Sequence, residues 1–265
     1  MIWQAALTVA AGVPIGLQLG ATGTGGALLA VPMMVYIAGI PVQQAAGMSL
    51  VIVAASALLG VWEYGRIGQI KAKAALAFSW TGMIGSWAGA YAHKLVRGEV
   101  LLIGFGVMLL VARALMVQYG GLGSLPEGEK PCAAAFPRTC WVKVAAIGFA
   151  VGAVNGFFGV GGGFMIVPTL VLVLGFAPRM AVGTSLTIIA LISIGGILGH
   201  LQFGALDPRS TALVITGSAA GILLGARLGQ PVSPKAMSAT AATITVGLAL
   251  WLITVNTIKL LSASL

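Results

Sequence analysis

Two glycine clusters are the residues of this chain best suited to chemistry. They read GATGTGGALLAVP over 20–32 and GFFGVGGGFMIVP over 156–168, and each lies inside an apolar run. Glycine at this density permits left-handed backbone and frees amide N–H groups, while a helix that starts just beyond presents its positive end. Backbone groups alone can hold an anion at such a break. The predicted anion-binding glycines are Gly25, Gly26, Gly161, Gly162 and Gly163.

Several polar side chains near the clusters can donate hydrogen bonds to an oxyanion without bringing a charge into an apolar environment. Asn155 is the best individual candidate, because the equivalent position in the first half of the chain is Leu19. The alternative is that serine and threonine hydroxyls bond back to their own helix, which is common. The predicted polar binding residues are Thr22, Thr24, Ser49, Asn155, Thr184 and Ser185.

Other glycines have the spacing of helix interfaces rather than of a binding site. They recur every fourth residue, which lets two helices approach closely in lipid. We therefore predict that they pack helices together, and they are Gly12, Gly16, Gly20, Gly148, Gly152, Gly156, Gly217, Gly221, Gly225 and Gly229.

Other chemistry has little support in the sequence. The five acidic residues fall at segment ends or in loops, and no acid–base pair, metal-ligand cluster or nucleotide loop is evident. We expect no enzyme activity, no metal and no cofactor. Without a buried carboxylate, movement driven by the membrane potential is favoured over proton coupling. His93 and His200 lie at segment ends, where an interfacial position is expected, and proton-coupled exchange through either one is the alternative. Cys132 and Cys140 are expected to be free thiols, with a disulfide as the alternative if the linker faces an oxidising compartment.

The amino-acid composition indicates that the protein is surrounded by lipid rather than water. Of 265 residues, 59% are hydrophobic and 7% charged, with 39 glycines and a mean hydropathy of +1.06. A water-soluble domain with this composition could not cover its surface, so the sequence predicts an all-α polytopic membrane protein. The net charge of +9 is spread singly between apolar runs. Because no basic stripe results, nucleic acid is not an expected partner, whereas the lipid bilayer is.

The chain consists of two similar halves. An offset of 136 residues superposes twelve pairs of glycines without a gap, where chance would give roughly two or three, so the repeat is real. We predict a first repeat over 1–119, a linker over 120–140 and a second repeat over 141–265. Each repeat has five apolar segments, at about 3–22, 25–38, 42–62, 72–93 and 98–119, then 141–158, 161–174, 179–199, 208–229 and 235–259. The short second segment of each repeat either crosses fully or re-enters.

Charge predicts the orientation of the chain. With the linker in the cytoplasm and both termini outside, ten lysines and arginines face inside and four face outside, as the positive-inside rule favours. An odd number of crossings per repeat inverts the second copy. Inverted repeats with broken helices are typical of secondary transporters, which bind substrate between the copies near the midplane.

The whole chain resembles the sulfite exporter TauE/SafE membrane proteins. The resemblance rests on GTGGALLAVP and GVGGGFMIVP, the Gly-Pro turns at 39–41 and 175–178, and AVGTSL at 181–186. It implies export of sulfite, sulfonates or related sulfur oxyanions across the cell inner membrane. The residues alone predict a small anion as substrate, do not indicate an oligomeric state, and leave one alternative, a membrane-embedded partner subunit that does not itself transport.

Overall fold

The computed structural model describes most of the chain, namely residues 2–22, 27–66, 68, 70–118, 138–160, 163–172, 174–176, 178–202, 208–228 and 234–262. These residues form ten α-helices and contain no strand, which confirms the all-α class. The helices are α1 (Ile2–Thr22), α2 (Ala27–Tyr36), α3 (Val42–Arg66), α4 (Ala72–Lys94), α5 (Gly98–Gln118), α6 (Arg138–Phe158), α7 (Gly163–Leu172), α8 (Pro178–Gln202), α9 (Pro208–Leu228) and α10 (Pro234–Ser262).

The helix starts follow the spacing found in the sequence. Helices α1 to α5 begin at 2, 27, 42, 72 and 98, and α6 to α10 begin at 138, 163, 178, 208 and 234, each 136 residues later. Proline at the first position of α8, α9 and α10 has a φ suited to a helix start and lacks an N–H that would have no partner there. Helix α6 begins at Arg138, within the predicted linker, directly after Pro137.

Two short helices, α2 and α7, occupy the second position of each half. Each has ten residues, about 15 Å of helix, which is half of the roughly 30 Å hydrocarbon core. Both are followed by a glycine with left-handed backbone, Gly39 (φ 66°) and Gly175 (φ 73°). The next amide then reaches back to the helix, from Ile40 to the Met34 carbonyl and from Phe176 to the Leu170 carbonyl, each at 3.0 Å. Neither short helix crosses the core by itself.

Two interfaces join the halves through glycine. Helix α1 packs on α9, and α4 packs on α6. A Cβ at Gly16 would collide with the backbone of Ser218, and one at Gly156 with the backbone of Ser86. The predicted packing role is therefore confirmed, and it holds for Gly12, Gly16, Gly148, Gly152, Gly156, Gly217 and Gly221. The surroundings of Gly20, Gly225 and Gly229 lie outside the described residues.

Helix directions follow from contacts along the axes. Lys71, just before α4, donates its backbone N–H to Thr184 near the start of α8 at 3.1 Å. Near the other end of the same helices, the rings of His93 and His200 lie 5.1 Å apart. Helix α4 therefore runs parallel to α8.

Helix α3 runs antiparallel to α8. Leu50, in the first third of α3, contacts Gly196 in the last third of α8. These two helices occupy equivalent places in the two halves, 42–66 and 178–202.

The outer surface of the bundle is apolar, as lipid contact requires. Large hydrophobic side chains such as Trp80, Leu95 and Val142 are about 70% exposed, at 69%, 73% and 72%. Three described helical stretches are long and apolar enough to cross a membrane by themselves, Cys140–Phe158, Met180–Gln202 and Thr245–Ser262.

The helix break after α6 was expected near the membrane midplane. It lies instead near one end of the bundle. Helix α6 has 21 residues before the break, about 31 Å, which is a full crossing. Gly159 follows with φ 70°, and the last turn of α6 contacts His93 and His200, close to the ends of α4 and α8. The break is therefore level with those helix ends.

Candidate functional site

Several predicted binding residues cannot be placed by the structure. Thr24, Gly25, Gly26, Gly161 and Gly162 lie outside the described residues. Thr22 is the last residue of α1 and Gly163 is the first residue of α7, so both flank the breaks as expected.

Asn155 lies in the last turn of α6, one turn before Gly159. Its side chain is 1% exposed, and neither its amide oxygen nor its amide nitrogen has a hydrogen-bond partner among the described residues. Burying an amide without hydrogen-bond partners destabilises the folded protein, so its presence here needs an explanation. Its place beside a helix break makes it available to a ligand.

Ser49 connects α3 to the break of the second half. Its buried hydroxyl donates to the Ala46 carbonyl at 2.8 Å and contacts the Gly159 carbonyl. A Cβ at Gly159 would also collide with Ala46, so α3 packs directly against this turn. Although Ser49 belongs to the first half, it is part of the surroundings of the second break.

Thr184 and Ser185 lie toward the opposite end of the bundle. Ser185 donates to the Val182 carbonyl of its own helix at 2.8 Å, as the alternative interpretation expected, and Thr184 accepts the Lys71 amide. From Ser185 to Gly196, which is near Ser49, is eleven residues of α8, about 16 Å. The structure therefore does not bring Ser49 and Ser185 together.

The sequence interpretation named His93 and His200 but did not predict that they are buried together at the Asn155 end. His93 and His200 are each 2% exposed, so they are at helix ends but not in an interfacial position. His93 Nδ1 lies 2.6 Å from the Phe157 carbonyl, and His200 Nε2 lies 3.2 Å from the Gly156 carbonyl. Two consecutive carbonyls at the end of α6 thus hold the two rings.

Buried hydroxyls extend from this pair along α4 and α8. Ser79, Ser86 and His93 are spaced by seven residues on α4, and Ser193 and His200 likewise on α8. The three serine hydroxyls are buried without a partner in the described part of the chain. We call Ser79, Ser86, His93, Ser193 and His200 the polar stripe. Seven-residue spacing of polar residues in apolar helices was the signal available in the sequence.

A cavity opens at the same end of the bundle. It has a volume of about 270 Å³, and its polar lining residues are Tyr36, Gln43, Glu99, Asn256 and Lys259. Gln43 is six residues before Ser49 on α3, about 9 Å along the helix. The cavity therefore lies about two helical turns from Ser49 along α3.

Cys140 corrects the expectation of free thiols, because it is disulfide-bonded. The only other cysteine, Cys132, lies outside the described residues. Disulfides persist in oxidising compartments, whereas the positive-inside rule predicts a cytoplasmic linker. These two indications of orientation disagree, and the charge distribution carries more weight because it draws on the whole chain.

Thiol labelling distinguishes the two orientations. With a cytoplasmic linker, a membrane-impermeant maleimide is expected to leave both cysteines unlabelled in intact cells, before and after an impermeant reductant, and to label them in inside-out vesicles once the same reductant has been added. Labelling of intact cells that appears only after reduction would place the linker outside with its disulfide intact.

Known proteins share the sequence over nearly its full length. Residues 8–252 match the sulfite exporter TauE/SafE family. The chain belongs to this family. A probable membrane transporter protein of Xylella fastidiosa is 31% identical over 227 residues, 84% of each chain. The probable membrane transporter protein YunE of Bacillus subtilis is 28% identical over 243 residues, 84% of this chain and 89% of YunE.

Membership in the TauE/SafE family settles the broad class. The protein is a membrane protein of a transporter family, in agreement with the expectation of transport rather than catalysis. The names of the relatives give no substrate. No solved structure matches the chain.

Proposed function

We propose that this protein exports small sulfur oxyanions, sulfite or organic sulfonates, across the cell inner membrane. The observation that carries the proposal is Asn155, a fully buried amide with both polar atoms unpartnered among the described residues, one turn before the break at Gly159. An oxyanion accepts hydrogen bonds from amides, and the start of α7 beyond the break adds a positive helix end. No charged side chain is required at that point.

The arrangement of the helices supports alternating access between two inverted halves. Equivalent helices α3 and α8 run antiparallel, and the contact of α1 with α9 is matched by that of α6 with α4. This exchange of partners is what a two-fold axis in the membrane plane would produce. Ser49 beside the second break and Ser185 at the other end would then serve two gates on opposite sides.

Proteoliposomes containing only this protein test the proposal. They are expected to take up labelled sulfite and sulfoacetate faster than protein-free liposomes, and to exclude labelled methylammonium as a cation control. If neither anion moves while size-exclusion chromatography shows a folded protein, transport by the isolated chain is wrong and a partner-subunit role takes its place.

A further inference from the structure

Most of the interface glycines recur at equivalent positions of both halves, whereas most residues of the polar stripe do not. At the equivalent positions of the other half, Ser79, Ser86 and His93 are replaced by Ile215, Ile222 and Gly229, and Ser193 by Ala57. At four of the five equivalent positions the other half therefore has no polar side chain, and the fifth, equivalent to His200, is Tyr64. Since buried polar groups without partners are costly, a role other than packing is needed to explain them.

The contacts of the two histidines define where a proton would bind. A backbone carbonyl only accepts, so His93 must donate from Nδ1 to Phe157, and His200 from Nε2 to Gly156. In the neutral ring of His93 this leaves Nε2 as a bare acceptor, and it is buried with no partner among the described residues. One vacant basic nitrogen therefore faces the interior of the bundle.

The backbone carbonyls at this position would stabilise a positive charge, whereas burial of the two rings opposes one. The Gly156 and Phe157 carbonyls belong to the last turn of α6, where carbonyls lack helical partners and the negative end of the helix dipole lies. Among the side chains whose burial the structure describes, no carboxylate, lysine or arginine is buried. At this end of the bundle Lys94 is exposed, and Glu99 is paired with Arg97 at 3.9 Å. The histidines are thus the titratable groups facing each other from α4 and α8, with none opposite them on α6.

We propose that His93 and His200, capping the carboxyl end of α6, bind one proton together with each transported anion. The inference rests on the proposed function and adds its coupling ion. At 5.1 Å between ring centroids, two positive imidazoles would repel each other, so the pair takes a single proton. The proton lies at the negative end of α6 and the anion at the positive start of α7, on either side of the same break.

This proposal differs from the expectation of movement driven by potential alone, which rested on the lack of a buried carboxylate. Co-binding removes one negative charge from the transported complex. A divalent anion then still leaves with one net negative charge, so the cell potential continues to favour export. Ser86 and Ser79 lie about 10 Å and 21 Å from His93 along α4, so their hydroxyls would relay the proton only with water molecules between them.

Proton uptake on anion binding is the direct measurement. Sulfoacetate stays ionised near neutral pH, so any proton taken up from a weakly buffered, dye-containing solution belongs to the protein. Purified wild-type protein is expected to take up close to one proton per sulfoacetate bound, and His93→Gln and His200→Gln to take up none. Proton release, or no uptake by a wild-type protein that binds sulfoacetate, would overturn the inference and leave the proposed function standing.

Flux under a pH gradient gives a second measurement on the wild type, so that a variant that fails to fold does not prevent the test. With the potential clamped at zero, one pH unit is expected to sustain about a tenfold sulfoacetate gradient toward the alkaline side. Ser86→Ala is expected to slow this flux, whereas Ser218→Ala is expected to leave it unchanged because that hydroxyl donates to Ile215 of its own helix. A flux that ignores pH contradicts proton coupling, and the absence of any flux contradicts anion transport itself.

Discussion

Asn155→Leu is expected to stabilise the protein while it weakens binding of the transported anion. Leucine stands at the equivalent position of the first half, Leu19, and its side chain has the same number of heavy atoms and the same branching as that of asparagine. An unpartnered buried amide costs about 1–3 kcal/mol, so the free energy of unfolding should rise by a similar amount. An anion that loses a hydrogen bond of about 1.5–3 kcal/mol to this amide should bind roughly ten to a hundred times more weakly. Thermal denaturation in detergent and sulfoacetate binding measure the two effects.

Asn256 is the matched control, because it is equally buried at 1% exposure but has partners. Its amide nitrogen donates to the Tyr36 hydroxyl at 2.8 Å and to the Leu252 carbonyl at 2.7 Å. Asn256→Leu should therefore lower stability by leaving the Tyr36 hydroxyl without this partner. If Asn155→Leu destabilises the protein as Asn256→Leu does, Asn155 has a structural role and the anion site must be placed elsewhere.

The sequence predicted the contacts that depend on local spacing. Gly12 and Gly16 lie four residues apart in an apolar run, which predicts a close helix contact whatever the partner helix is. Their partner α9 could not be predicted in this way, since hydropathy gives the segments but not which segments meet. The start of α6 at Arg138 was also missed, because a basic residue next to Pro137 and Cys140 has the composition of a linker.

The histidine pair shows why part of the site could not be predicted. His93 and His200 each end an apolar segment, and a histidine there is usually at the membrane surface. Their burial depends on α4 and α8 ending side by side against the last turn of α6, which is a matter of tertiary packing. Ser49 was predicted as a binding residue, but its contact with the Gly159 carbonyl joins residues from different halves. The offset of 136 residues relates equivalent positions and does not give contacts between halves.

Gly156→Ala is expected to destabilise the α4–α6 interface and to disturb the site in the same step. The added Cβ would collide with the backbone of Ser86, which cannot rotate away as a side chain could, so the helices must separate. Overpacking of this kind costs about 1–3 kcal/mol, more than the roughly 1 kcal/mol that alanine gains over glycine in a helix. The Gly156 carbonyl, which holds His200, would move with α6.

Gly247→Ala is the control for the general effect of replacing a helical glycine by alanine, without the steric clash expected at Gly156. Gly247 lies on α10 with nothing within 4 Å of an added Cβ, so alanine should be neutral or stabilising there. Gly16→Ala, which collides with the backbone of Ser218 at the α1–α9 interface, should destabilise as much as Gly156→Ala. Because it is remote from the histidines, proton uptake by its folded fraction should stay normal.

The measurements are the midpoint of thermal denaturation in detergent and proton uptake per bound sulfoacetate. Equal midpoints for the Gly156 and Gly247 variants would mean that α4 and α6 do not pack backbone to backbone.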